Sequence, residues 1–270
     1  MRLTVTALRS PWARVLVSLA LVASLAGLVL AVVAHSRATV ARSAAFDRGS
    51  VGTVVLVPGY GGGTDALDVL AARLRSAGHS AVVLHLSGDG KGDLRQQAQV
   101  LQDEVSSLLA GGAPSVDVVG YSAGGVVARL WASELGGAAL ARRMVLLGSP
   151  NHGTEVAALG SDFGGALCSI ACQQLVPGSD LLMSLDQAGT PSGPQWVSIW
   201  TTSDEVVTPP ESAKLDGAVN LTVQSVCPHE QVEHGTLPTD AVVQSLVVRA
   251  LAAAPFLAPE PSQCASLTRG

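Results

Sequence analysis

Aromatic side chains are scarce in this chain of 270 residues, where Trp, Tyr and Phe together make up 3%. Lysine is scarcer still, present only at Lys91 and Lys214, so arginine carries nearly all the basic charge. With no Lys/Arg cluster and no aromatic series on which bases could stack, nucleic acid is excluded as a partner. Cysteine is limited to Cys168, Cys172, Cys227 and Cys264. Neither neighbouring pair has the C-x2-C spacing of a zinc site and no histidines stand at ligand spacing, so no metal is called for. The run Gly59 to Gly63 lacks both a G-x-G-x-x-G and a Gly-Lys-Ser/Thr ending, which argues against a phosphate-binding loop.

What the chain has in quantity is apolar surface, 48% of its residues, enough for one sizeable core and a single catalytic domain. Residues 1–34 differ from the rest. Arg2, Arg9 and Arg14 precede an uncharged run from Val15 to Ala34, which reads as an export signal. The run is long enough to span a bilayer, while Val32-Val33-Ala34 offers small residues for cleavage, so a cleaved signal peptide and an N-terminal membrane anchor both stay open. Either way the positive flank stays in the cytoplasm and the remainder is extracytoplasmic, secreted or held to the membrane by this segment. The segment holds three arginines and no acid, so the exported part keeps 13 basic and 21 acidic side chains, a formal charge of −8. All four cysteines lie in that part, and an even number outside the reducing cytoplasm suggests disulfides. Proximity favours Cys168 with Cys172 and Cys227 with Cys264.

Residues 35–52 read as a polar, Ala/Ser/Arg-rich linker. Beyond it Thr53 to Val57 is a β-branched run ending in a glycine loop, and Thr64 opens a helix with Leu67, Leu70, Ala71 and Leu74 on one face. The unit repeats: a strand from Ala81 to Leu86, then a helical stripe of Leu94, Ala98, Leu101, Val105 and Leu108. Val116 to Tyr121 is a third strand, followed by a helix packed through Val126, Val127, Leu130 and Trp131. Met144 to Leu147, Trp196 to Trp200 and Val219 to Val223 supply three more strands, and Ala241 to Leu251 a last helix. The alternation predicts an α/β fold, a mostly parallel sheet with helices on both faces and ligands at the carboxyl ends of its strands. Pro150 to Pro194, rich in Gly and Ser, reads as a small cap over the substrate path or as a loop-rich structural insertion. The catalytic domain is expected over 53–254, with 255–270 a C-terminal tail tied by a disulfide.

Gly120-Tyr121-Ser122-Ala123-Gly124 stands where the third strand meets its helix. There a serine backbone is strained, its hydroxyl projects clear of the sheet, and the glycines let neighbouring backbone pass. Ser122 is therefore the candidate nucleophile. Serine needs a base oriented by an acid. After the fifth strand comes Asp204, preferred to Glu205, Asp216 or Asp180, and after the sixth come His229 and His234. His234 is preferred because it precedes Leu237 and the final helix, whereas His229 beside Cys227 reads as a loop residue. The order Ser, Asp, His is that of an α/β-hydrolase. The oxyanion donors should be the backbone N–H groups of Ala123 and of Tyr60 in the first glycine loop.

The segment from about Thr53 to Leu251 resembles the secreted bacterial lipases and esterases of the α/β-hydrolase superfamily. The resemblance rests on Val57-Pro58-Gly59-Tyr60-Gly61-Gly62, with Pro58 where relatives often carry His, on Gly120 to Gly125, on Gly148-Ser149-Pro150-Asn151-His152-Gly153-Thr154, on Asp204 with Val206-Val207, and on His234 with Leu237. It implies a triacylglycerol lipase-like fold, a catalytic set of Ser122, Asp204 and His234, backbone donors at Tyr60 and Ala123, and hydrolysis of lipid or small esters without a cofactor. It also implies that Asn151 and His152 line the substrate, His152 as a positioning residue. The alternatives are a cell-envelope lipid acyltransferase, in which an alcohol replaces water, and a non-catalytic lipid-binding protein on a hydrolase fold.

Overall fold

In the first strand, β1 (Thr53–Val57), Val54 and Leu56 pack into one core while Val55 and Val57 pack into another. Strict alternation with apolar residues on both faces demands cover on both sides, and the strand is central. It is flanked by β2 (Ser80–Val83) and β3 (Val116–Tyr121), and β4 (Ala141–Leu147), β5 (Gln195–Trp200) and β6 (Val219–Thr222) follow outward from β3. All pairings are parallel, in the order β2-β1-β3-β4-β5-β6. The computed structural model describes residues 49–162 and 168–268, all within one compact unit spanning Phe46–Gly270. The segment over 1–34, expected to direct export, and the expected linker up to residue 48 lie outside the described residues. No helix among the described residues is long and apolar enough to cross a membrane.

The helices are α1 (Asp65–Ser76), α2 (Leu94–Ala110), α3 (Ala123–Glu134), α4 (Glu155–Asp162), α5 (Ile170–Gln174), α6 (Asp180–Ala188), the single turn α7 (Val223–Val226), α8 (Ala241–Ala250) and α9 (Cys264–Leu267). Helices α2 and α3 cover one face of the sheet through Leu101, Val105, Val127 and Trp131. Helices α1 and α8 cover the other through Leu67, Leu70, Val243 and Leu246. Each such side chain, fully buried, contributes about 1.5–3 kcal/mol toward folding.

The edges of elements differ from the sequence pattern for identifiable reasons. Strand β2 stops at Val83 although Leu84 N still donates to Leu56 O at 2.9 Å. The next donor in that ladder would be Pro58, which has no N–H. Strand β4 begins three residues earlier than Met144 because two arginines are buried in it: Arg142 donates to Asp117 Oδ2 at 2.5 Å and to the carbonyls of Leu251 and Ala252, and Arg143 to those of Ala253 and Ala254. The guanidinium groups thus hold the carbonyls that follow α8, with Asp117 balancing the charge. Val223 leaves the sheet because the Thr222 side chain accepts from Ser225 N and caps α7. In the stretch from Pro150 to Pro194 the three short helices pack in series, α4 on α5, α5 on α2 and α6, and α6 on α3, with Ser169 and Ser179 as N-caps of the last two.

Strand β1 leads to β2 on one side while β3 lies on the other, so the sheet order reverses between β1 and β3. A crevice opens outside the carboxyl ends of strands at such a point. The loop Pro58 to Gly63 and the turn at Ser122 both stand there.

Candidate active site

Ser122 links β3 directly to α3 and adopts φ 54°, ψ −128°, the left-handed φ that no other non-glycine residue among those described takes up. Such backbone costs on the order of 1–3 kcal/mol and persists only where its surroundings enforce it. The surroundings here are tight. A Cβ on Gly120 would lie 2.6 Å from the Cα of Gly125, and one on Gly124 would run into the carbonyls of Val57 and Pro58. Ser122 N is held by Leu147 O at 2.8 Å.

The hydroxyl meets His234. Ser122 Oγ lies 3.0 Å from His234 Nε2, and His234 Nδ1 lies 2.8 Å from Asp204 Oδ2. All three side chains are buried. Asp204 is fixed in turn through its other oxygen, which accepts from Val206 N at 3.0 Å and Val207 N at 2.7 Å. That leaves Oδ2 to the imidazole and sets the Nδ1–H tautomer, with Nε2 free to accept from serine. His234 opens a short 3-10 turn, His234–Thr236, whose first turn is braced by reciprocal bonds between Glu233 and Thr236. The serine, the aspartate and the histidine come from three loops at the same end of the sheet.

The other acids and histidine weighed in the sequence stay away. Glu205, Asp180, Asp216 and His229 are exposed, His229 two positions after the disulfide-bonded Cys227. Both cysteine pairs are disulfides, Cys168–Cys172 and Cys227–Cys264. The N–H of Tyr60 and that of Ala123, the first residue of α3, donate to no backbone carbonyl among the described residues. A Cβ on Gly59 would lie 2.9 Å from the Cβ of Ser122, so the Tyr60 loop runs right beside the serine. The Tyr60 side chain is partly exposed at the border of the cavity beside Ser122, its hydroxyl 3.1 Å from Ser169 Oγ and its ring 5.8 Å from Lys91 Nζ.

A cavity of about 170 Å³ opens beside Ser122, walled mainly by apolar side chains from the start of α4, from α5 and from the Val206–Val207 turn. Pro150 and Thr154 line it, whereas Asn151 and His152, expected from the resemblance to line the substrate, do not. Asn151 is fully buried and donates to Ala213 O at 2.7 Å. His152 turns to Asp186 of α6, Nδ1 to Oδ2 3.1 Å, and borders a separate hollow of about 190 Å³. Arg129 joins these two residues, donating to Asn151 O at 2.6 Å and to Asp186 Oδ1 at 3.2 Å. Burial pushes its guanidinium below the ordinary value and Asp186 opposes the shift. Tyr121 was read in the sequence only as part of the serine turn; its hydroxyl donates to His234 O at 3.0 Å. A large polar side chain next to the serine was the one available signal.

A serine on a strained strand-to-helix turn, bonded to a histidine that is bonded to an aspartate, above a parallel sheet with helices on both faces, is the arrangement of an α/β-hydrolase. The sequence pattern of the family described as Lipase (class 2) matches residues 105–245, more than half of the chain, and the chain belongs to that family. No curated protein matches it. Among solved structures it is similar to Aspergillus fumigatus lipase B, with a TM-score of 0.65 and 20% identity over 83% of this chain and 58% of that one. It is also similar to the Bacillus licheniformis lipase BlEst2 in mature form, with a TM-score of 0.55 and 20% identity over 63% of this chain and 82% of that one. The chain spans little more than half the length of the fungal lipase, and at these identities the likeness speaks to the fold alone.

Proposed function

We propose that this protein is an exported serine hydrolase that cleaves carboxylic esters through an acyl-Ser122 intermediate. The observation that carries the reading is the pair of hydrogen bonds from Ser122 to His234, 3.0 Å, and from His234 to Asp204, 2.8 Å, at a serine with strained backbone. His234 Nε2 takes the hydroxyl proton as Oγ attacks the ester carbonyl. The oxygen that becomes negative is received by the N–H groups of Tyr60 and Ala123. Collapse expels the alkoxide, which leaves as an alcohol with the proton from His234. Water then enters and gives a proton to the same nitrogen as its oxygen bonds to the acyl carbon, and collapse breaks the bond to Ser122 Oγ, which takes that proton back from His234 as the acid leaves. Asp204 holds the imidazole in the tautomer each step needs and offsets its positive charge. The catalytic domain is taken as 53–254.

Export is supported by the arginine-flanked apolar run to Ala34 and by two disulfides, which persist outside the reducing cytoplasm. Sequencing the N-terminus of protein from the medium and from membranes separates a cleaved signal, beginning near His35, from an anchor. For the chemistry, Ser122→Ala is expected to abolish both ester hydrolysis and labelling by a fluorophosphonate while the circular dichroism spectrum is kept. Labelling that survives in this variant means that another serine reacts and the assignment fails.

A further inference from the structure

We infer that the pocket beside Ser122 takes in about the first six carbons of an acyl chain, so that preference among esters climbs to hexanoate and levels off beyond it. This rests on the ester-hydrolase reading and narrows it. Ser122 stands in the wall of the cavity of about 170 Å³, which opens to solvent on one side and is assigned to the acyl part. A dry cavity of about 150 Å³ holds one benzene, a group of six carbons.

Away from its mouth the cavity is walled, among the described residues, by packed side chains. Thr154, Ala157, Leu175 and Val207 are all buried there, and Ala157 and Leu175 belong to the same packed cluster as α3. Hydrogen bonds tie these walls to one another. Thr154 N donates to Leu175 O at 3.0 Å, and Thr154 Oγ1 donates to Val206 O at 2.6 Å while accepting from Thr208 N at 3.1 Å. The start of α4, the end of α5 and the turn after Asp204 are thus joined behind the space an acyl chain would fill, and lengthening it would break buried bonds. By contrast Val156 and Val206 at the rim are exposed. Each methylene taken into the cavity should raise kcat/KM by about fourfold, and one left over the rim in water should add little.

The test is kcat/KM for p-nitrophenyl esters from acetate to dodecanoate, each below its aggregation concentration, on the full chain and on two variants. The wild-type profile is expected to climb to about hexanoate and rise no further. Ala157→Leu, which fills the walled end, should lower the hexanoate-to-acetate ratio by about fourfold or more, and Leu175→Ala, which opens it, should move the optimum to octanoate or beyond. A wild-type optimum at decanoate or dodecanoate overturns the inference alone, as does an unchanged profile in both variants when their thermal midpoints show them folded. Should one variant fail to fold, the wild-type profile and the other variant decide. If no ester is turned over and Ser122 is not labelled by a fluorophosphonate, the ester-hydrolase reading falls and this inference falls with it.

Discussion

The hydroxyl of Tyr121 donates to the backbone carbonyl of His234 at 3.0 Å, and the two rings stand 5.3 Å apart, tilted by 31°. Tyr121 directly precedes Ser122, whereas His234 lies 113 positions along the chain from Tyr121, so one bond fastens the strand end carrying the serine to the loop carrying the histidine. Burial first, then the neighbouring Asp204 and Glu205, push the phenol up to about 12, and it remains a donor at any working pH. Tyr121→Phe keeps the ring and removes the tether. We expect turnover to fall about tenfold, since small misplacements of a catalytic group are costly, and stability by only about 1 kcal/mol. Steady-state kinetics and a thermal melt check this: kcat should drop with KM nearly unchanged. A lower melting point with intact kcat would reduce Tyr121 to a structural part.

Gly148, just after β4, stands close to His234 and to its partner Asp204. It has φ 52°, and a Cβ there would lie 2.6 Å from Leu237 Cδ1 and 3.3 Å from both Asp204 Oδ2 and His234 Nδ1. Gly148→Ala therefore brings backbone strain and pushes on the histidine and its partner together. The expected outcome is a stability loss of more than about 1 kcal/mol and a fall in kcat of at least about tenfold. Wild-type kcat in a folded Gly148→Ala protein would show that the pair tolerates displacement.

The strands were legible because each is a short apolar run between glycine or polar turns, and the helices because Leu and Val recur on one stripe. Ser122, Asp204 and His234 could be picked out because each follows an apolar strand, and a parallel sheet puts all such loops at one end. That they touch is a tertiary fact that no spacing contains. The start of β4 was hidden because two arginines, Arg142 and Arg143, precede its apolar run, and only Asp117 and the carbonyls after α8 show how they are held in the sheet. Asn151 turns to Ala213 and His152 to Asp186, because a motif fixes a loop near a site but not which way its side chains turn. Arg129 and Asp186, distant in sequence, decide that.

At the other end of the sheet the buried Asp117–Arg142 pair has His79 beside it, with an Nδ1 that is buried and finds no partner among the described residues. Burial pushes this imidazole below its ordinary pKa of 6.5; Asp117 works against the shift and Arg142 adds to it. The unfolded chain then binds the proton more readily than the folded one, so stability rises with pH across the window between the lowered value and about 6.5. The His79 contribution is complete above that window and is lost as pH falls through it. Denaturant unfolding from pH 7.5 down to about 5 should show the decline, and His79→Asn should flatten it. Equal slopes for both proteins would assign the pH dependence elsewhere.

Cys227 and Cys264 enclose the histidine loop and α8 within one covalent ring, their sequence separation being 37. The ring is also closed by packing, because α9 lies against α8 and Ser245 Oγ donates to Leu267 O at 2.7 Å. Cross-linking a loop of that length restricts the unfolded chain and should stabilise the fold by about 3 to 4 kcal/mol. The residues between Cys227 and His234 have less to hold them: Glu230 N bonds to Cys227 O at 3.0 Å, Gln224 reaches Glu230 O at 3.2 Å, and Val232 O accepts from Thr201 at 2.7 Å. Loosening this stretch should shift the imidazole relative to Ser122 before the sheet opens. We therefore expect Cys227→Ser/Cys264→Ser to lose turnover at temperatures where circular dichroism still reports a folded sheet, with a lowered melting point. Mutating the Cys168–Cys172 pair, whose Cys172 lines the acyl cavity, should instead change the preference among ester chain lengths. Full activity and an unchanged melting point in the Cys227/Cys264 variant would mean that the hydrogen bonds alone position His234.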